Sequence, residues 1–119
     1  MVEFEVLEIG EMVPLFEEEM LIVLFGEQAP PELKSICVVH NYHSEAGNLL
    51  REGTILELGD NKYKLTKVGS MANSTFDELG HVSIYFRSTE EEILPGSILA
   101  EPRVFPKVKP GDKIRIINS

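Results

Sequence analysis

The stretch that decides the fold reads Leu33-Lys34-Ser35-Ile36-Cys37-Val38-Val39-His40-Asn41-Tyr42-His43. Its apolar part, residues 36–40, has the composition of a buried β-strand and ends in a histidine. Alternate side chains of a strand point to opposite faces, so Val38 and His40 share one face and Cys37 lies on the other. The strand fixes the imidazole, and a polar loop follows it up to Gly53. We therefore expect the His40 ring to be open to visiting proteins from the loop side.

A second stretch, residues 80–86, begins with Gly80 and His81 and continues as a strand. Period-two geometry places His81 on one face with Ser83 and Tyr85, which is the more polar face of this strand. We predict that this segment meets the strand that ends at His40.

Short strands separated by turns recur along the whole chain. We predict strands over residues 2–9, 20–25, 36–40, 54–58, 63–68, 82–87, 97–100 and 113–117, with a four-residue turn at 59–62. The best helix candidate is 70–79, with a capping box formed by Thr75 and Glu78 and a terminating Gly80. A helical turn is predicted at 32–35, and a loop or short helix at 13–20.

Seven or eight short strands with little helix are typical of a sandwich or a small barrel. We favour a mainly β fold, a small closed or nearly closed β-barrel with one or two short helices, because closure removes exposed strand edges. No linker-like stretch divides the chain, which predicts a single domain over residues 1–119.

Composition narrows the classes of function. The chain is 43% apolar and 26% charged, which is typical of a globular protein, and its formal charge of -9 argues against nucleic acid as a partner. The longest apolar run, residues 20–25, is far shorter than the roughly 20 residues that a membrane helix needs. With no signal-peptide pattern and a single cysteine, Cys37, the sequence predicts a cytoplasmic protein without direct membrane insertion.

Three histidines and one cysteine remain as candidates for chemistry, because the common catalytic motifs are missing. Cys37 points away from His40 and is expected to be a buried apolar residue. A neutral imidazole is a nucleophile near neutral pH and accepts a phosphoryl group on one nitrogen when an acceptor holds the other N–H. Two alternatives stay open: His40 and His43, with His81 or an acid, bind a transition metal, or the domain is a binding module without chemistry.

Several motifs resemble one family over nearly the whole chain. They are the segments 29–33, 37–40, 67–72 and 78–86, together with the turns at 95–96 and 109–112. In this order and spacing they are similar to the glucitol/sorbitol-specific IIA component of the bacterial phosphoenolpyruvate-dependent sugar phosphotransferase system.

The resemblance implies a phosphocarrier without cofactor or metal. Such a IIA protein takes a phosphoryl group from the phosphocarrier protein HPr onto a histidine and passes it to a cysteine of the sorbitol-specific IIB domain of the membrane permease. The matching histidine here is His40. His81 matches a histidine of the family's Gly-His strand, and we assign it a supporting role, hydrogen-bonding His40 or a phosphoryl oxygen. The family's second histidine follows more closely than His43 does here, so the resemblance gives no role to His43.

Overall fold

The computed structural model describes residues 1–42, 48–89 and 91–118. The strands are β1 (Val2–Ile9), β2 (Leu21–Gly26), β3 (Val38–His40), β4 (Ile55–Leu58), β5 (Asn61–Val68), β6 (Val82–Tyr85), β7 (Ser97–Glu101) and β8 (Lys113–Ile117). A 3₁₀ helix spans Val13–Glu19, and two α-helices, α1 (Pro31–Lys34) and α2 (Ala72–Leu79), complete the described elements.

The strands form a closed barrel in the order β1-β3-β2-β6-β7-β5-β4-β8. Two pairs, β2 with β3 and β6 with β7, are parallel, and the other six are antiparallel. The predicted closed β-barrel is confirmed. Closure gives each strand of the described barrel a partner on both sides, which removes the free ladder of backbone groups that the edge of an open sheet presents.

Two apolar clusters lie on opposite sides of the barrel wall. The inner cluster includes Phe4, Val38, Phe76 and Val82, and the outer cluster is formed by the buried residues Phe25, Ala29, Cys37 and Val39. Within β3, which begins at Val38, the predicted alternation is confirmed, because Val38 faces inward and Val39 faces outward. Ile36 and Cys37, which precede the strand, both lie on the outer side. At roughly 25 cal/mol per Å² of buried apolar surface, these two clusters are the main stabilising term of the fold.

Three local predictions needed correction. Leu58 pairs with Asn61, so the hairpin turn contains two residues instead of four, and Gly59 supplies the φ of 61° that this tight turn requires. Helix α2 begins after Met71, which makes no side-chain cap. The capping box is wrong because the Thr75 hydroxyl lies inside the helix and donates to the Met71 and Ala72 carbonyl oxygens.

The C-terminal end of α2 follows the prediction. Gly80 adopts φ 67° and ψ 23°, and its N–H donates to carbonyl oxygens of the last helical turn. Among the described helices, none is both long and apolar enough to cross a membrane.

Candidate functional site: the corner between His40, Gly80 and His81

The candidate site lies where the parallel strands β2 and β3 end beside the end of α2. Gly26, the last residue of β2, is paired with His40, the last residue of β3. Gly80 follows α2 and precedes β6, which is antiparallel to β2. The two segments singled out in the sequence therefore meet, as predicted, and they meet through the backbone of Gly80.

The His40 ring is buried, with 0% of its surface exposed. Its Nδ1 lies 2.8 Å from the Asn41 carbonyl oxygen, and its Nε2 lies 2.9 Å from the Gly80 carbonyl oxygen. A carbonyl only accepts hydrogen bonds, and a neutral imidazole has one N–H to donate. Burial lowers the pKa of His40, while the two carbonyls and the nearby charge of Glu27 act in the opposite direction. In this arrangement neither ring nitrogen is open to a reacting group.

Aromatic side chains enclose this imidazole. Its centroid lies 5.3 Å from that of Phe4, 6.2 Å from that of Phe76 and 6.0 Å from that of Tyr42. The Tyr42 hydroxyl donates to the Asp77 carbonyl oxygen of α2. Tyr42 is partly exposed, and its ring lies between the His40 ring and the last turn of α2 that its hydroxyl contacts.

Gly80 is the residue that permits such close packing. A Cβ at this position would lie 2.9 Å from His40 Cε1 and 3.1 Å from the backbone nitrogen of Gly26. Its positive φ also disfavours any other residue. Sequence reasoning identified this glycine only as the end of a helix and missed its contact with His40.

His81 lies on the other face of the wall. Its ring stacks on Phe25 of the outer cluster, with centroids 4.4 Å apart and planes inclined by 27°. Its Nδ1 lies 3.0 Å from the Leu24 carbonyl oxygen, and the side chain is partly exposed. Because that oxygen only accepts, Nδ1 carries the hydrogen, and in a neutral ring Nε2 carries the lone pair.

The expectation that His40 is open to visiting proteins is wrong. Period-two geometry places its ring on the inward face of β3, together with Val38, and this face looks into the barrel core. The ring nitrogens of His40 face the Asn41 and Gly80 carbonyl oxygens, and Nδ1 of His81 faces the Leu24 carbonyl oxygen. None of these three contacts joins the two imidazole rings.

Other candidates can be placed briefly. His43 lies outside the described residues. Cys37 is buried in the outer cluster as predicted, and burial raises its thiol pKa to about 11. Among the side chains that the structure describes, no group of three histidines, cysteines or acids is arranged to hold a metal ion.

A surface depression of about 540 Å³ lies at the far end of β6. It is lined by residues that include Tyr85, Arg87 and Leu94, and not by His40 or His81. The imidazoles of His40 and His81 therefore lie at a packed corner of the barrel, outside this depression.

Known proteins resemble this chain along most of its length. Residues 1–115 match the model of the family described as the PTS system glucitol/sorbitol-specific IIA component. The glucitol/sorbitol-specific EIIA components of Escherichia coli (strain K12) and Shigella flexneri are each 32% identical over 97 residues, which cover 82% of this chain and 78% of the relative.

A solved structure extends this similarity to three dimensions. The crystal structure of a PTS system IIA component from Enterococcus faecalis V583 superposes with a TM-score of 0.87 at 30% identity, covering 98% of this chain and 100% of that one. These matches in sequence and in three dimensions lead to one conclusion. The chain belongs to the glucitol/sorbitol-specific IIA components of the sugar phosphotransferase system.

Proposed function

We propose that this protein is a cytoplasmic phosphocarrier that takes a phosphoryl group from phosphorylated HPr onto a histidine. It then passes the group to a cysteine of the sorbitol-specific IIB domain of the permease during glucitol/sorbitol uptake. The observation that carries this proposal is the family match over residues 1–115. The assignment of glucitol/sorbitol as the sugar rests on the names of the two relatives. The structure itself carries no information on the sugar, because a IIA protein does not need to bind it.

His40 is the proposed acceptor, because it occupies the position that the family resemblance implies. Its Nε2 must first separate from the Gly80 carbonyl oxygen, which lies across the fold at 2.9 Å. The Asn41 carbonyl, which contacts Nδ1, belongs to the next residue of the chain and can stay with the ring. The released ring would then have Nδ1–H held by an acceptor and an Nε2 lone pair free to attack phosphorus.

Tyr42 is the side chain whose displacement this release requires. Its ring lies against both His40 and the position where a Gly80 Cβ would be, and its hydroxyl is bound to the Asp77 carbonyl. We propose that docking of HPr or the IIB domain moves Tyr42. In the proposal, His81 supports the transfer by hydrogen-bonding a phosphoryl oxygen and not His40, whose ring lies on the other face of the barrel wall.

Charge favours a cationic partner surface. The chain carries 20 acidic residues against 11 Lys and Arg, and no basic residue precedes Lys34. An acidic surface increases the rate at which an oppositely charged partner docks, and it does so without a large interface. A carrier that must release one partner and bind the next benefits from such transient contacts.

The test is phosphorylation of the whole chain by a phosphoenolpyruvate-driven relay that contains HPr. Intact-mass spectrometry should show one acid-labile phosphoryl group, which a sorbitol-specific IIB domain then removes. A Ser83→Ala variant, changed on the outer face of β6, should behave like wild type. If the folded wild-type chain gains no phosphoryl group while another IIA protein in the same mixture does, the proposed function is wrong.

A further inference from the structure

Two large apolar side chains, Met71 and Leu94, are exposed on neighbouring segments of the surface. They keep 50% and 65% of their surfaces exposed, and the Met71 N–H donates to the carbonyl oxygen of Pro95 at 2.8 Å. Single exposed apolar residues are common on soluble proteins, whereas adjacent ones mark interaction sites. Resting on the phosphocarrier function proposed above, we propose that this Met71–Leu94 patch anchors the docking surface for phosphorylated HPr, the protein that would phosphorylate His40.

The Met71–Leu94 patch lies within one interface of the Gly80 corner. Met71 precedes α2 and Gly80 follows it, so nine helical steps separate these two residues by roughly 14 Å. The Ser83 N–H donates to the Gly96 carbonyl oxygen at 3.2 Å, which places the segment after Leu94 only about 10 Å along the chain direction of β6 from Gly80. A standard interface covers about 800 Å² of each partner, equal to a disc of roughly 16 Å radius. One docked protein can therefore cover both the patch and the corner.

The surface between the patch and the corner is acidic. Glu78 is exposed on α2 and Glu27 is exposed after β2, and residues 68–86 contain no Lys or Arg. HPr has to bring a phosphoryl group with about two negative charges to a chain that is itself acidic, so it needs cations of its own beside its phosphohistidine. Glu27 and Glu78 attract those cations while the Met71–Leu94 patch supplies apolar contact.

The Met71–Leu94 patch also adjoins a space that a partner's side chain can enter. Leu94 lines the depression of about 540 Å³ described above. The wall of this depression is held in place, because the Arg87 guanidinium lies 4.6 Å from the centroid of the Tyr85 ring. Side chains that fill such pockets carry most of the binding energy of an interface. We therefore expect an apolar side chain of HPr to bind beside Leu94.

Helix α2 connects the Met71–Leu94 patch to the proposed acceptor. Met71 precedes the helix, and the Asp77 carbonyl oxygen near its end accepts the hydroxyl of Tyr42, whose ring lies against His40. HPr docked along α2 would therefore contact the helix that holds Tyr42 in place.

The experiment compares serine variants of matched exposure in phosphoryl transfer from phosphorylated HPr to the full chain. Leu94→Ser removes an apolar side chain that is 65% exposed, and Leu15→Ser removes one that is 66% exposed in the 3₁₀ helix before β2. We expect Leu94→Ser to raise the KM for phosphorylated HPr about 5–30-fold with kcat unchanged, and Leu15→Ser to change neither. Met71→Ser and Val104→Ser, at 50% and 48% exposure, form a second pair with the same expectation.

Amide chemical shifts of the wild-type chain, recorded while unphosphorylated HPr is added, keep the proposal testable if a variant folds poorly. The amides of Met71 and Leu94 should shift, and that of Leu15 should not. Equal KM values within each pair, a defect confined to transfer onto the IIB domain, or a change of oligomeric state in place of HPr binding would overturn the docking surface. In each of these cases the chain still accepts phosphate from HPr, so the phosphocarrier function stands. A folded wild-type chain that HPr does not phosphorylate would overturn both proposals.

Discussion

Replacing Gly80 by alanine tests the close packing of the corner. A left-handed backbone costs a residue with a Cβ about 1–2 kcal/mol. The added carbon would also lie 2.9 Å from His40 Cε1 and 3.1 Å from the Gly26 nitrogen. Neither neighbour moves easily, because one is a fully buried ring between two carbonyl oxygens and the other is backbone. Such overpacking costs about 1–3 kcal/mol. We expect Gly80→Ala to lower the free energy of unfolding by about 2–5 kcal/mol in total.

Urea unfolding followed by circular dichroism measures this loss, and two other glycines provide the controls. Gly53 has a φ of 91° with no neighbour within 4 Å of its added Cβ, so Gly53→Ala carries backbone strain alone. Gly96 has an open surrounding and no positive φ, so Gly96→Ala should cost almost nothing. The excess of Gly80→Ala over Gly53→Ala then measures the contact with His40 and Gly26. If there is no excess, the tight corner described here does not exist in solution.

Three further predictions concern the same region. Burial lowers the pKa of His40, so this imidazole becomes protonated at a higher pH in the unfolded chain than in the folded chain. The free energy of unfolding should therefore fall as the pH drops below about 6.5, the ordinary pKa of histidine. Urea titrations at several pH values should show a smaller fall for His40→Gln than for the wild type. The buried Cys37 thiol, whose pKa is raised to about 11, should resist iodoacetamide at neutral pH until urea unfolds the chain, and rapid alkylation of the native protein would contradict its burial. Tyr42→Phe removes the hydrogen bond to the Asp77 carbonyl and should cost about 0.5–1.5 kcal/mol. It should also speed reaction of His40 with diethyl pyrocarbonate, whereas Tyr63→Phe, which removes another hydroxyl–carbonyl bond, should leave that rate unchanged.

The proposed roles of the two histidines make different demands on the fold. In the proposal, His40 at the end of β3 reacts only if the corner opens, and Tyr42, whose ring lies against it, is hydrogen-bonded to α2. His81 would need no such opening for its proposed supporting role, because its ring is partly exposed and is held by the Leu24 carbonyl and by Phe25. Identifying the phosphorylated histidine on the native chain would therefore also report whether partner docking opens the barrel corner.

The sequence by itself determined the barrel and the alternation of its strands. Period-two patterns record which face of a strand is buried, so the inward side of Val38 and Val82 and the outward side of Cys37 were predictable from local composition. The glycine after α2 was also predictable, since a helix end that needs positive φ selects glycine.

Only the tertiary structure decided which histidine is accessible. Local patterns do not show which side chains pack against a residue. His40 is enclosed by Phe4 of β1 and Phe76 of α2, both distant in sequence, and by Tyr42 of the loop that follows β3. Likewise, the carbonyls of Gly80 and Leu24 reach the two rings through contacts separated by 40 and 57 residues in the chain. Such long-range hydrogen bonds depend on how the closed barrel brings strand ends together, and no single stretch of sequence encodes them.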